Sequence, residues 1–330
     1  MRNQPWKKNP HRQHSNNPNG RPPFRRDNRS FRRPSSPPQE QASEAERRFF
    51  DRVVIDPAPR IYLERGLAEP TVRAMDLVCP IGKGQRGLIV SPPKSGKTTF
   101  LKHLVQAVTK SEPEMKVYLL LIDERPEEVT DFKRSVTAEV RYSTSDQPYE
   151  NHIRTAKVLM KQAVEEAEAG KHVMVFIDSL TRLARVHNSA VRNGGRTLSG
   201  GVDAQGLLIP RKIFGTARNI EHGGSLGIIA TILVQTGSRM DDVIFQEFKG
   251  TGNMELVLSR DISDRRIFPA INIRESGTRK EELLFSAEEL KAARMLRAAL
   301  ASMSDVEAAQ ALNDLLAKHP LNKSVIAGLQ

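Results

Sequence analysis

Cysteine is almost missing from this chain: Cys79 stands alone, which excludes an internal disulfide and a cysteine-built metal site and fits a reducing compartment. Aromatic residues make up only 5% of the composition, so a core has to be built from aliphatics, as in an α/β interior. No stretch of 18 apolar residues occurs and the N-terminus carries no apolar signal core, so a soluble, cytoplasmic protein with no membrane partner is expected. The eight histidines are scattered without ligand spacing. Acidic residues are scarcest at the start. Residues 1–38 hold ten Lys and Arg against Asp27 alone, and so +9 of the net charge of +12. The same stretch has eight prolines and six asparagines, with only Trp6, Phe24 and Phe31 as large apolar groups, too few to offset chain entropy. A disordered basic tail over residues 1–45 is expected. Arg interleaved with aromatics suits RNA or DNA; a solubilising tail is the other reading.

Residues 46–75 read as a connector, with a helical candidate over 41–52 that Asp56-Pro57-Ala58-Pro59 must break. Beyond it, over 76–330, short aliphatic runs alternate with helical stretches. Leu88–Val90, Val117–Ile122, Val173–Ile177 and Ile228–Val234 have the continuous apolar character of strands buried on both faces of a parallel sheet. Residues 153–169 place Ala156, Leu159, Met160, Ala163 and Ala167 on one helical stripe. Residues 287–301 and 306–317 are helical again. The fold class is therefore α/β, a doubly wound and mostly parallel sheet whose ligands sit at the carboxyl ends of its strands.

At such an end lies Ser91-Pro92-Pro93-Lys94-Ser95-Gly96-Lys97-Thr98, followed by the helix-compatible Thr99–Val105. This is the layout of a P-loop: backbone N–H groups converge on the phosphates, Lys97 reaches the β- and γ-oxygens, and the Thr98 hydroxyl can ligate Mg2+. Ser91 stands where the general pattern has glycine, and Pro92 and Pro93 stiffen the loop. Asp178 at the tip of its strand suits a nucleotide-bound magnesium, or else caps the next helix. Glu124 is the candidate for activating water and Arg125 for the γ-phosphate, whereas Glu127 and Glu128 fit a solvated helix start. Residues 192–201, with four glycines and two arginines, and the segment Thr236–Asp241 have the composition of mobile loops.

Longer segments carry a resemblance. Pro80–Val90, the P-loop, Asp123–Thr130, Asp178–Arg185, Gly200–Ala204, Phe248–Leu256 and Ser276–Leu284 closely resemble the Rho family of bacterial transcription termination factors, in order, from about Arg60 to Leu296. The resemblance implies a RecA-like P-loop NTPase that forms a homo-hexameric ring, binds ATP and Mg2+ between subunits, draws single-stranded RNA through the centre and acts on the RNA polymerase elongation complex. It implies that Gly82, Lys83, Gly84, Gln85, Arg86 and Gly87, with Lys94, Ser95, Gly96, Lys97, Thr98 and Thr99, surround the nucleotide. Arg125 would lie by its γ-phosphate, Phe268 would pack on its adenine, and Arg266 would help the finger Arg279. Lys97, Glu124, Asp178 and Arg279 would be catalytic, Arg279 as an arginine finger reaching the neighbouring subunit, and Thr98 and Asp178 would support the metal. RNA would meet Arg196, Thr197, Ser199 and Arg239, with arginine at 196 and 239 where the family commonly has lysine. The family's five-stranded OB-fold has no counterpart pattern in the first 59 residues, so the basic tail is expected to take over RNA capture. The alternative is a nucleotide-gated RNA-binding ring, or a modulator of a full-length Rho, without productive helicase activity.

Overall fold

A computed structural model describes residues 43–191 and 199–329; residues 1–42 of the expected tail, and Arg196 and Thr197, lie outside the described residues, whereas Ser43 caps a helix that begins at Glu44, so regular structure is present before the expected boundary at residue 45. The strands are β1 (Val54–Ile55), β2 (Arg60–Ile61), β3 (Ile81–Gly82), β4 (Arg86–Ser91), β5 (Lys116–Glu124), β6 (Glu139–Thr144), β7 (His172–Asp178), β8 (Arg218–Ile220), β9 (Ser225–Leu233), β10 (Met254–Leu258) and β11 (Ile271–Thr278). The helices used below begin with α1 (Glu44–Asp51), α2 (Leu63–Gly66), α3 (Pro70–Val78), α4 (Lys97–Ser111), α5 (Pro126–Ser135), α6 (Tyr149–Glu168) and α7 (Leu180–Val191). They continue with α8 (Leu208–Gly215), α9 (Arg239–Phe248), α10 (Arg260–Asp264), α11 (Ala287–Leu300), α12 (Asp305–Lys318) and α13 (Asn322–Gly328). Among the described residues no helix is long and apolar enough to cross a membrane.

The main sheet runs in the order β11-β10-β4-β9-β7-β5-β6, with β8 pairing β9 and β1 pairing β8. From β10 to β6 every pair on that path is parallel, while β11 joins β10 antiparallel. Aliphatic strands alternate between two cores because successive side chains leave opposite faces. Ile89, Leu119, Leu121 and Phe176 pack with Leu101, Leu104 and Val105 of α4 on one side. Leu88, Val90, Leu120, Val175 and Ile177 pack with Ala156, Leu159 and Ala163 of α6 on the other. Helices α11 and α12 open with capping boxes, Ser286 with Glu289 and Ser304 with Glu307, which satisfy amide donors the helix itself cannot. Their Leu296, Leu300, Leu312 and Leu316 join the first core.

The stretch expected as a connector is packed rather than spaced out. Phe49, Ile61, Leu63, Val72 and Met75 are fully buried. Arg52 fixes α1 to α6 through Glu168 at 2.9 Å. Apolar residues in this stretch are few but fall at the contacts, whereas proline confines its regular structure to short pieces. The parallel strands β4, β5 and β7 all finish at the same end of the sheet, with β9 between β4 and β7, which brings Ser91, Glu124 and Asp178 to one end.

Candidate nucleotide-binding site

Strand β4 delivers the chain into the loop 92–96, and α4 starts at Lys97, so the first-turn amides of a 15-residue helix point at the loop's interior. Two fully buried hydroxyls brace the loop from below. Ser91 Oγ and Ser95 Oγ are 2.8 Å apart, and both donate to the Pro92 carbonyl, at 3.1 and 2.8 Å. Gly96 has φ +87°, and a Cβ there would meet the Phe268 ring at 3.3 Å; only glycine fits. The loop opens into a cavity of about 590 Å³ whose walls include Lys94, Lys97, Thr98 and Thr99 on the phosphate side. Leu258, Phe268 and Pro269 form the apolar wall, and Phe268 stays 48% exposed, an unusual setting for a phenylalanine unless a flat group covers it.

Charge is concentrated beside this cavity. Lys97 Nζ donates to both oxygens of Asp178, at 2.6 Å to Oδ2, and lies 3.9 Å from Glu124. Asp178 is fully buried and also accepts from Thr231 Oγ1 at 2.7 Å. Burial pushes the Glu124 carboxyl up to about 7; the nearby Asp178 charge adds to this, while Lys97 and Arg182 oppose it. A carboxyl near neutrality can take a proton at physiological pH. Arg182, on α7, lies 3.3 Å from Glu124 Oε2 and donates to the Asp123 carbonyl, so it orients the strand end that carries Glu124.

Of the expected site residues, the structure brings together Lys94, Ser95, Gly96, Lys97, Thr98, Thr99, Glu124, Asp178 and Phe268. Arg125 is exposed at the start of α5, next to Glu124, and Glu127 and Glu128 fill the first turn of that helix. Arg266 has φ +63° in the turn before Phe268 and is not on the cavity wall. Gly82–Gly87 are not brought to the cavity. They sit at the amino end of β4, a strand of six residues and so roughly 17 Å from the loop at its other end. There Gln85 accepts the Gly82 N–H at 2.9 Å and donates to Asn253 at 2.6 Å, while Lys83 pairs with Glu112 at 3.1 Å. Arg279 also lies at that end, exposed, with Nη2 3.3 Å from the Gly250 carbonyl. The backbone of Ser199 opens a 3-10 turn, and Arg239 is the exposed first residue of α9.

Sequence reasoning passed over three groups. Arg182 stands one helical turn after Asp178, a spacing that could have marked it. Thr231 had no local signal. Asp241, fully buried, accepts from Arg185 Nε at 2.7 Å and from Thr236 Oγ1 at 2.6 Å, tying the 236–241 segment to α7.

The site's donor set suits magnesium held mainly by a nucleotide. That ion needs only one or two hard protein oxygens, and the Asp178 carboxylate and the Thr98 hydroxyl offer them. Among the described residues no group of three or more His, Cys, Asp or Glu could hold a metal by itself.

Fold and cavity together define a RecA-like P-loop nucleotide-binding domain. Residues 71–278 match the nucleotide-binding domain of the ATP synthase alpha/beta family. A prototypical ATPase from the type III secretion system of pathogenic bacteria superposes with a TM-score of 0.63 at 26% identity, over 76% of this chain and 69% of that one. The assembled ATPase EscN of enteropathogenic E. coli, at TM-score 0.68 and 24% identity over 84% of this chain and 72% of its own, supports the fold. Transcription termination factor Rho of Haemophilus influenzae is 53% identical over 260 residues, 78% of this chain and 62% of that protein. That of Karelsulcia muelleri is 47% identical over 274 residues, 83% of this chain and 72% of its own. The chain belongs to the Rho family of transcription termination factors. It spans 62% of the length of the Haemophilus relative and 38% of that from Micrococcus luteus.

Proposed function

We propose that this chain is an RNA-stimulated ATPase of the Rho type, working in the cytoplasm as a homo-hexameric ring that translocates on single-stranded RNA and acts on the RNA polymerase elongation complex. The observation that carries this reading is Lys97 shared between Asp178 and Glu124 at the mouth of the P-loop, a complete hydrolytic set that a passive scaffold does not need. Incoming phosphate draws the Lys97 ammonium off Asp178, whose carboxylate then faces the metal position with Thr98. Magnesium supplies charge neutralisation on the β- and γ-oxygens when bound. Glu124 takes a proton from the attacking water, Arg182 steadies Glu124, and Phe268 stacks on the base. Arg125 contacts the γ-phosphate, and Arg279 acts on the nucleotide of the adjacent copy.

ATP hydrolysis measured with and without single-stranded RNA tests the reading. RNA should stimulate turnover at least about tenfold. Indifference to RNA, with ATP bound but unhydrolysed, would favour the nucleotide-gated scaffold.

In the same reading the tail, residues 1–45, captures RNA through charge and stacking. Deleting residues 1–38 should weaken single-strand binding and flatten its salt dependence. The slope falls by about 0.7 for each phosphate no longer neutralised, so releasing some five phosphates lowers it by roughly 3.5. Basal ATPase should persist. Unchanged affinity and slope, read by fluorescence anisotropy in a salt series, would reduce the tail to a solubility device.

A further inference from the structure

Side chains along β5 alternate strictly until its last two residues. Leu119 and Leu121 belong to the core that α4 covers, Leu120 and Ile122 to the core that α6 covers. Continued regularly, the strand would turn Asp123 towards α4 and Glu124 towards α6, since successive side chains leave opposite faces. The reverse is found. Glu124 lies 3.9 Å from Lys97 at the start of α4, the same ammonium that donates to Asp178. Asp123 instead acts on His152 of α6, a buried imidazole whose pKa burial lowers and the Asp123 charge raises. The register accounts for the exchange. Ser143 and Thr144 are consecutive on β6, but their partners on β5 are Ile122 and Glu124, so Asp123 is an extra residue, a bulge in a parallel pair. Its φ is +58°, in the left-handed region, where a parallel strand has about −120°.

A bulge re-aims the side chain beside it, and this one stands immediately before the carboxyl that takes a proton from water in the reading above. We propose that the left-handed backbone of Asp123 is what aims Glu124 at the P-loop, so that Asp123 is a positioning residue through its conformation rather than its carboxylate. This rests on the reading of Glu124 as the base. Neighbours hold the bulge in shape: Arg182 donates to the Asp123 carbonyl and lies 3.6 Å from Asp123 Oδ2, and the Glu124 carbonyl accepts the Ser145 N–H at 3.0 Å. Aimed this way, Glu124 Oε2 is buried and accepts no hydrogen bond among the described residues, which leaves it an open acceptor for the proton of an attacking water. Aspartate tolerates left-handed backbone better than most residues with a side chain and glycine better still, whereas a β-branched residue strongly opposes it.

The test replaces Asp123 in the full chain and reads RNA-stimulated ATPase against affinity for a fluorescent ATP analogue. Asp123→Gly keeps the conformation and removes the carboxylate with its Arg182 contact, and should lose no more than about fivefold in kcat. Asp123→Val should lose about 10²-fold in kcat with affinity unchanged, as expected of a misplaced base. Asp123→Ala should fall between them, and it replaces the valine variant if that fails to fold. Equal losses for glycine and alanine would show that the carboxylate acts, and wild-type turnover by the valine variant would show that the conformation does not; either result overturns the proposal. Glu124→Gln separates the proposal from the reading beneath it. In that background Asp123→Val should cost nothing further in rate, because the group it misaims is already inert, whereas losses that multiply would put its effect elsewhere and overturn the proposal alone. Wild-type turnover by Glu124→Gln would remove the base itself, and the proposal with it.

Discussion

Lys97→Ala should abolish ATP hydrolysis, with turnover falling by about 10³-fold or more, because the chief cation on the β- and γ-phosphates is gone. A second loss should accompany it. Asp178 is fully buried and its ionised form is balanced by Lys97, with only the Thr231 hydroxyl besides. Removing one partner of a buried pair leaves the other uncompensated, at a cost of about 3 kcal/mol. Melting of the nucleotide-free variant should therefore occur at lower temperature than that of the wild type. Substantial RNA-stimulated hydrolysis by Lys97→Ala would remove the site assignment altogether.

Glu124→Gln should keep nucleotide affinity and lose turnover by about 10²- to 10⁴-fold, since the amide fills the same space and cannot accept the proton from water. Equal loss of affinity and rate would contradict its role. The variant should also be more stable than the wild type above neutrality. The Glu124 carboxyl has a folded value of about 7 against 4.5 in its unperturbed state, so the folded protein holds this proton more tightly. Stability from that difference is complete below about pH 4.5 and lost as pH rises towards 7. Glutamine has no such proton to lose. The gap in melting temperature between variant and wild type should open between pH 5 and pH 8, favouring the variant; a constant gap would show that the Glu124 pKa is not raised in the folded protein.

Much of this site could be read from the chain because its parts are local. The P-loop occupies consecutive residues between one strand and one helix, and Glu124 and Asp178 each stand at the tip of a wholly apolar run. The central strands β4, β5, β7 and β9 were legible for the same reason: buried on both faces, they are continuously aliphatic. Edge strands were not. β6 leaves Glu139, Arg141 and Tyr142 exposed, and β11 carries Arg274 and Glu275 through a register shift against β10, so neither shows a clean period of two. The placement of Gly82–Gly87 escaped sequence reasoning for a different cause. The link of this segment to the nucleotide rests on resemblance alone, and within one chain an extended strand separates it from the P-loop by its full length.

The P-loop opens at the carboxyl ends of the parallel strands and Arg279 projects near their amino ends, so in the proposed reading one chain presents the two halves of a reaction centre on different faces. A two-fold pair joins a patch to its own copy and cannot set each P-loop against the other's arginine when the two lie on separate faces. Only a head-to-tail contact does so, and repeating it either closes into a cycle or winds on as an open helix. In a closed cycle every nucleotide is flanked, whereas an open helix always leaves one cradle at its end without a partner's cation.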